Sequence, residues 1–535
     1  MTHRGLRSLR AIVRVLPPHL RSRAAWLFFA GSALLLAAAS RQLADGIDPD
    51  SLWLDDLWVA TLVKRASLQQ LVQLHAPTPY GFIALLKLIR AAFGDGHLQL
   101  QAAPVLARLA AIAGVGLVTF ELTRNPGLAL VAAAGMALQR DLAEQALRIK
   151  QYSLDACVSV LLLGCAVALL RRPGLGRLAA FGGLCLLALP CSFPSAFVGP
   201  PLFSLCALSI ALPSWRTEPG RAVRALAIAA VIDVLGAALL WAMVQQKTTP
   251  ALQGFWAEYY PPLDKLSALR RFFKRGPGRD FLSAAFEPLR PLALLVPLGV
   301  LRLLLTRWTR ALGVFALLLT AAVFASAALH LYPLGAPRLD SFARPLQICF
   351  AAVALQPWTL RRVPPVLRVL GRGTCVALLV AATLHVQGDR VSYVPAGEKP
   401  LAGLVQRWLR RPDTALLLFP WANWAFAYYT DEPVDLVPVD DSTNGFFAIP
   451  ERAGSLVLRE TWQGVFFADY ARDKRAFADQ IAPLLSTQPR RIAFYGSYGD
   501  GRDYRAIFGQ LHRHGYKVVQ QRGRHRAIAA LLERR

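Results

Sequence analysis

Long apolar segments recur along this chain and constrain its fold more than any other feature. With 535 residues, 55% of them hydrophobic, and a mean hydropathy of +0.39, the chain is too apolar for a soluble protein. The sequence therefore predicts a polytopic α-helical membrane protein. Candidate spans lie at residues 24–40, 77–93, 101–123, 126–143, 152–170, 178–191, 196–212, 225–244, 290–306, 311–330, 343–358 and 373–388. Several are shorter than the roughly 20 residues that cross a bilayer without thinning it.

The gaps between the apolar segments carry much of the positive charge. The formal net charge is +27, with arginine clusters at 171–177, 216–224, 307–310 and 361–372. Under the positive-inside rule these clusters mark the cytoplasmic side. This layout favours membrane orientation over nucleic-acid binding, and no nucleic-acid partner is predicted. The N-terminus is rich in arginine before the first apolar segment, and Ser40-Arg41-Gln42 is a poor cleavage site, which predicts an uncleaved first span with a cytoplasmic N-terminus. The charge layout also predicts a first external loop at 41–76 and a long external loop at 245–288.

The parity of the spans adds a constraint. The predicted loops at 41–76 and around Lys150 are both external, so the chain must cross the membrane an even number of times between them. Three candidate spans lie between residues 76 and 143, so one of them either does not cross or hides a second crossing. The total is therefore 11 or 13. The segment in question is 77–93, which opens with Pro77 and Pro79 and carries Lys87 and Arg90 within its length.

The composition changes near residue 391. Residues 1–390 form the predicted membrane domain, and residues 391–535 form a small α/β domain on the external side. Strands are predicted at 414–419, 490–495 and 516–520, with an amphipathic helix at 504–514. The turn YGSYGDGRDY at 495–504 lacks the Lys-Ser/Thr pair of a phosphate-binding loop, so a plain turn is the favoured interpretation.

Two adjacent carboxylates, Asp55 and Asp56, follow the first span in an apolar setting. Carboxylates in such surroundings cost free energy unless they have partners or a task. One interpretation is a general base, or a pair of metal ligands, where an apolar surface meets water. The other is a pair of acids that stabilises a helix N-terminus. A divalent cation, Mg²⁺ or Mn²⁺, stays open as a cofactor, although two acids alone are too few ligands to predict a metal site.

A second polar segment, 146–156, opens a later span. It carries Arg148, Lys150, Gln151, Tyr152 and Asp155. Cations in an external loop run against the positive-inside trend, which favours binding of an anionic group such as a phosphate. The alternative is that the cations anchor the span by reaching to the membrane interface.

Three further segments share the predicted external face. His75 precedes a proline-rich start to the next apolar segment and is a candidate for contact with an anionic head group. Tyr332 and Arg338 lie in the stretch LYPLGAPRLDSFARP at 331–345. The loop at 245–288 mixes aromatic residues with cations, which is typical either of a helix lying on anionic lipid or of a lid over the site.

Taken together, these segments resemble the GT-C class of membrane glycosyltransferases, specifically the dolichyl-phosphate-mannose and aminoarabinose transferase-like group (family 39-like). The resemblance rests on the order of the acidic pair, the proline-rich segment HAPTPYGFIALLKLIRAAFG, the basic-aromatic segment at 148–152 and the Tyr332 to Arg338 stretch. It implies a polyprenyl-phosphate-linked sugar as donor, Asp55 as the catalytic base and Asp56 as its support. It also implies that Lys150, Arg148 and Arg338 stabilise the polyprenyl phosphate leaving group.

The predicted function is therefore transfer of a hexosyl or pentosyl group from a polyprenyl-phosphate donor, with inversion, on the external face of a bacterial inner membrane. The expected partners are that donor, membrane lipid, and an unidentified acceptor that is a glycan, a lipid or a protein. Two alternatives stay open: a lipid or polysaccharide transporter, and a non-catalytic assembly subunit with the same fold. The absence of paired mid-span acids and of internal repeats favours the enzyme over the transporter.

Overall fold

The computed structural model consists of a long series of helices followed by a small sheet domain. It describes residues 23–47, 52–74, 77–247, 250–286, 289–336, 338–356, 365–389, 391, 397–439, 445–458, 474–499, 501–524 and 526–535. The helices before residue 390 are α1 (Arg23–Gly46), α2 (Leu54–Arg65), α3 (Leu68–Gln73), α4 (Tyr80–Phe93), α5 (His97–Thr123), α6 (Pro126–Ala137), α7 (Arg140–Ala146), α8 (Tyr152–Arg171), α9 (Leu175–Ala188), α10 (Ser195–Ser214), α11 (Pro219–Lys247), α12 (Pro250–Phe255), α13 (Leu266–Arg275), α14 (Pro277–Ser283), α15 (Leu295–Leu305), α16 (Arg310–Ala328), α17 (Ala343–Leu355) and α18 (Pro365–Gly388). Short 3₁₀ turns lie at Ala257–Tyr259, Ala284–Phe286, Arg290–Leu294, Arg307–Thr309 and Leu339–Phe342.

Within the described residues, five segments are long and apolar enough to cross a membrane. They are His97–Thr123, Tyr152–Arg171, Ser195–Ser214, Pro219–Met243 and Arg307–Ala328. A bent pair, Leu266–Phe286 with Arg290–Leu305, would be a sixth. These helices agree with the predicted multi-pass membrane protein, whereas the total of 11 or 13 spans stays a prediction.

The segment predicted as one span at 126–143 forms two helices, α6 and α7. The chain leaves the helical conformation at Gln139, whose side chain donates a hydrogen bond to the Ala285 carbonyl at 2.8 Å and accepts one from Arg344 at 3.1 Å. Polar partners on distant segments therefore hold this residue out of a continuous helix, which hydropathy alone does not reveal.

Helix α4 lies in the segment 77–93, the candidate span that was in question because of the parity of the spans. Its 14 residues extend about 21 Å, which is shorter than the apolar core of a bilayer. Lys87 donates to the carbonyls of Val63 at 3.0 Å and Ala66 at 2.5 Å, and Arg90 donates to the Lys64 carbonyl at 3.1 Å. The two cations thus satisfy carbonyl groups at the C-terminal end of α2, which have no partner inside that helix.

The C-terminal domain is built around one sheet. Its elements are α19 (Glu398–Leu409), β1 (Thr414–Leu418), α20 (Ala422–Tyr429), β2 (Val434–Pro438), β3 (Phe446–Pro450), β4 (Ser455–Val457), α21 (Lys474–Ser486), β5 (Arg491–Ser497), α22 (Gly501–Arg513), β6 (Tyr516–Arg524) and β7 (Ala527–Arg534). The strand order is β4-β1-β5-β7-β6, and β2 pairs with β3 separately. Strands β4, β1 and β5 run parallel, while β7 runs antiparallel to both of its neighbours. The predicted α/β character is confirmed, as are the three predicted strands and the helix.

The glycine-rich turn after β5 has a packing explanation. A Cβ atom on Gly496 or Gly499 would lie 2.6 or 2.7 Å from the Tyr504 ring, closer than side-chain contacts allow. The Tyr504 hydroxyl also accepts the Gly499 N–H at 3.0 Å. These glycines make room for an aromatic ring, in agreement with the favoured interpretation as a plain turn.

Two large hydrophobic cores divide the molecule. One lies among the membrane helices. The other joins residues of α2 to α4 with the interior of the C-terminal domain. In this second core the Thr61 hydroxyl donates to the Trp424 carbonyl at 3.0 Å, across a separation of 363 residues. The helix that carries the acidic pair, in the predicted first external loop, therefore folds together with the C-terminal domain.

Candidate active site

Helix α2 places both acids of the pair in its first turn, where the helix dipole favours negative charge. Adjacent helical residues point about 100° apart, so the two carboxylates meet different surroundings. Asp56 is fully buried, and its Oδ1 accepts the backbone N–H of Ile149 at 3.0 Å. Asp56 therefore ties α2 to the basic segment at 146–156.

Asp55 points the other way and meets Arg338. Its Oδ2 accepts a hydrogen bond from Arg338 Nη1 at 2.8 Å, and the side chains are 19% and 28% exposed. Burial by itself would raise the pKa of Asp55, but the charges of Lys150, Arg338 and Arg148 outweigh it and lower that pKa. Asp55 is thus a carboxylate held in its charged form by cations from two distant segments.

Lys150 is the second cation at this point. It is 3% exposed, and its Nζ lies 3.6 Å from the centroid of the Trp58 ring. Burial lowers its pKa to about 8, against the opposing attraction of Asp55. The ammonium group therefore carries its charge at neutral pH and loses it in mildly alkaline solution.

Each of the other two cations also lies over a tryptophan. The guanidinium carbon of Arg148 is 4.8 Å from the Trp53 ring centroid, and that of Arg338 is 5.2 Å from the Trp256 centroid. Such stacking stabilises a cation where water is scarce. Tryptophan rings therefore contact all three cations of the predicted basic segments. The sequence does not identify this role, although Trp53 and Trp58 flank the acidic pair.

A cavity of about 300 Å³ opens beside these groups. The predicted site residues that line it are Asp55, Lys150, Gln151, Tyr152, Tyr332 and Arg338. Aromatic and aliphatic side chains supply most of the remaining wall, including Phe193, Phe197, Leu240, Met243, Trp256 and Tyr260. The Tyr332 hydroxyl donates to the Leu339 carbonyl at 2.9 Å, which fixes the loop that presents Arg338. The cavity is therefore mostly apolar, and the described residues that line it include one carboxylate, Asp55, and two cations, Lys150 and Arg338.

The remaining predicted residues lie elsewhere. Asp56, Arg148 and Asp155 are described but do not line the cavity, and His75 falls outside the described residues. Asp155 is 2% exposed, and within the described part of the chain its Oδ1 has no hydrogen-bond partner. The functional roles predicted for all of these residues stay predictions.

The side chains at the cavity do not suit the binding of a divalent cation. In the parts of the chain that the structure describes, no three His, Cys, Asp or Glu side chains gather as metal ligands. Among the described residues that line the cavity, the one carboxylate is Asp55, which already pairs with Arg338, whereas Mg²⁺ and similar ions take several oxygen ligands. We therefore assign no step to a metal.

The fold formed by the membrane helices and the C-terminal α/β domain is similar to that of solved GT-C membrane glycosyltransferases. The resemblance noted in the sequence is thereby confirmed for the fold. The chain is a multi-pass membrane protein of this architecture.

The particular structures that it resembles include ArnT from Cupriavidus metallidurans. In its complex with undecaprenyl phosphate, ArnT aligns with 95% of this chain and 98% of its own, at 13% identity and a TM-score of 0.56. The apo form aligns over the same shares at 14% identity and a TM-score of 0.55. No protein-family model and no curated protein sequence matches the chain.

Proposed function

We propose that this protein is a glycosyltransferase that moves a sugar from a polyprenyl-phosphate-linked donor to an acceptor on the external face of the bacterial inner membrane. One observation carries the proposal: the Asp55 carboxylate pairs with Arg338 at 2.8 Å, and both line a mostly apolar cavity together with Lys150. A base beside two cations suits a reaction that removes a proton and releases an anion. An apolar wall suits a lipid chain.

The chemistry follows from these groups. The acceptor hydroxyl or amine attacks the anomeric carbon, and Asp55 takes the proton that it loses. A bond forms from the acceptor oxygen or nitrogen to that carbon as the bond from the carbon to the phosphate oxygen breaks. The electron pair leaves with polyprenyl phosphate, whose charge Lys150 and Arg338 stabilise. A single displacement inverts the anomeric configuration.

The ion pair between Asp55 and Arg338 bears on the order of events. A carboxylate paired with a guanidinium at 2.8 Å is a weak base, because the cation stabilises its charged form. A donor phosphate in the cavity would compete for Arg338 and leave Asp55 available to the acceptor. Donor binding would then precede activation of the base.

Structural likeness adds support of a general kind. ArnT from Cupriavidus metallidurans has been solved with undecaprenyl phosphate, and its fold extends over 95% of the present chain. A polyprenyl phosphate is therefore the first donor lipid to test. The sugar and the acceptor have to be found by experiment.

The test is Asp55→Asn in the full-length protein, assayed by release of polyprenyl phosphate from polyprenyl-phosphate sugars. We expect normal expression and membrane insertion with transfer reduced at least about 100-fold, since a general base contributes on that order. Asp45→Asn is the matched control, because Asp45 is exposed on α1 and forms an ion pair with Arg41 at 3.9 Å, away from the cavity lining. An active Asp55→Asn enzyme would refute the proposal.

A further inference from the structure

The turn after β5 has no part in the proposed reaction, yet it contacts the segment that leads into α2. Tyr498 has a φ of 61°, a left-handed conformation that residues with a Cβ adopt rarely. Its N–H donates to the Arg526 carbonyl at 3.1 Å, which holds the turn in this shape. Its hydroxyl donates to the Leu52 carbonyl at 3.0 Å. The C-terminal domain therefore reaches to within two residues of the start of α2.

The contact continues through Trp53. The Tyr498 and Trp53 rings meet edge to face, with centroids 5.7 Å apart. The Trp53 carbonyl accepts the amides of Asp56 at 2.9 Å and Leu57 at 3.0 Å, which are the first hydrogen bonds of α2. Tyr498 thus holds the peptide from which the helix carrying Asp55 begins.

A buried acid stands behind the tyrosine. Glu398 has no exposed surface, and its Oε1 accepts the Ser497 hydroxyl at 2.9 Å. The Tyr495 hydroxyl donates to the Glu398 carbonyl at 3.1 Å. Burial, the charge of Glu398 and a hydrogen bond to the Glu398 side chain raise the pKa of Tyr498 well above its usual value. The Tyr498 hydroxyl therefore keeps its proton, and remains a hydrogen-bond donor, over the physiological pH range.

The other end of α2 is held by the same domain but far from the acids. Lys64 donates to the Tyr428 carbonyl at 2.6 Å, and Arg65 donates to the Ala427 carbonyl at 3.0 Å. These contacts fix the position of the helix as a body. The contact of Tyr498 with Leu52 and Trp53 adjoins the first turn, where the direction of the Asp55 side chain is set. Tyr429 of the same domain also forms a hydrogen bond with the Leu52 backbone.

We propose that Tyr498 is a positioning residue for Asp55: by holding the Leu52–Trp53 peptide, it sets the direction in which the first turn of α2 presents the Asp55 carboxylate to the cavity. The catalytic consequence rests on the proposed function. Asp55 meets Arg338 at 2.8 Å, so a small rotation of the first turn would lengthen that contact and misalign the base. The C-terminal domain then contributes to the site without lining it.

The experiment compares Tyr498→Phe with Tyr516→Phe in the full-length protein. Tyr516 is the matched control, because its hydroxyl donates to the Pro489 carbonyl at 2.9 Å within the C-terminal domain, away from α2. Hydrogen–deuterium exchange is measured on the amides of residues 54–58, and transfer is measured as kcat and donor KM. For Tyr498→Phe we expect about fivefold faster exchange of these amides, the effect of one lost hydrogen bond of about 1 kcal/mol. We also expect kcat to fall about fivefold or more with donor KM unchanged.

Two results would overturn the inference. One is exchange in Tyr498→Phe that matches Tyr516→Phe, since the hydroxyl would then not hold the start of α2. The other is faster exchange with the kcat of the wild type, since Asp55 would then need no such support. The exchange measurement does not depend on turnover. If the wild type transfers no sugar from any polyprenyl-phosphate donor, the proposed function fails, and the positioning of Asp55 for catalysis fails with it, whatever the exchange shows.

Discussion

The two neighbouring carboxylates meet different partners in this molecule. Asp56 is buried and accepts the Ile149 N–H, whereas Asp55 faces the cavity and Arg338. The sequence predicts that an acidic pair in apolar surroundings needs partners, and it also predicts the cations. It cannot predict which acid meets which partner, because 283 residues separate Asp55 from Arg338 and the choice depends on how α2 is rotated.

The buried Lys150 predicts a pH dependence. Its ammonium is charged below a pH of about 8 and loses the charge above it, because burial has lowered its pKa to about 8. Under the proposed function, the charged ammonium attracts the donor phosphate. Under the proposed function, kcat/KM for the donor should fall as pH rises through about 8. In Lys150→Arg the guanidinium keeps its charge, so the alkaline fall should disappear or move upward. Rates measured from about pH 6 to pH 10 test this, and an identical alkaline fall in both proteins would contradict it.

At the scale of helices and strands, hydropathy predicts the long membrane helices well. Helices α5, α8, α10 and α16 lie where apolar runs of sufficient length occur. The short helices are less predictable, because distant partners fix them. Gln139 interrupts the span predicted at 126–143 through contacts with Ala285 and Arg344. Strand β7, which pairs with both β5 and β6, is likewise defined by neighbours and not by a local pattern.

The glycine turn between β5 and α22 gives a stability prediction. In Gly499→Ala the new methyl group would lie 2.7 Å from the Tyr504 ring, so we expect a loss of about 1–3 kcal/mol in the free energy of unfolding. Thermal unfolding of the detergent-solubilised protein measures the loss. Gly509→Ala is the control, because no atom lies within 4 Å of its Cβ position inside α22. It should be neutral or stabilising by up to about 1 kcal/mol. Equal stability of the two variants would rule out the packing explanation.

For the whole molecule, the proposed orientation places the cavity and the C-terminal domain on the external side. The positive-inside pattern supports this side, and the fusion of α2 to α4 with the C-terminal domain in one core requires both parts to share it. The side of the membrane is therefore decided once for α2 to α4 and for the C-terminal domain. A measurement on either part informs the other.

Cysteine labelling tests this orientation. Val519 is 49% exposed on β6, and Trp215 is 57% exposed after α10 in a basic loop. Val519→Cys should react with a membrane-impermeant maleimide in intact spheroplasts, whereas Trp215→Cys should react only after permeabilisation. The wild type, which has seven cysteines, gives the background. The opposite labelling pattern would place the cavity on the cytoplasmic side.

The core shared between α2 and the C-terminal domain also has a consequence for biogenesis. Thr61 and its partner Trp424 are 363 residues apart, so at ordinary rates of synthesis α2 leaves the ribosome on the order of tens of seconds before α20. During that interval its apolar surface has no partner from the C-terminal domain. Insertion machinery or chaperones would have to shield α2 until translation ends, and a chain truncated before residue 398 would leave that surface uncovered permanently.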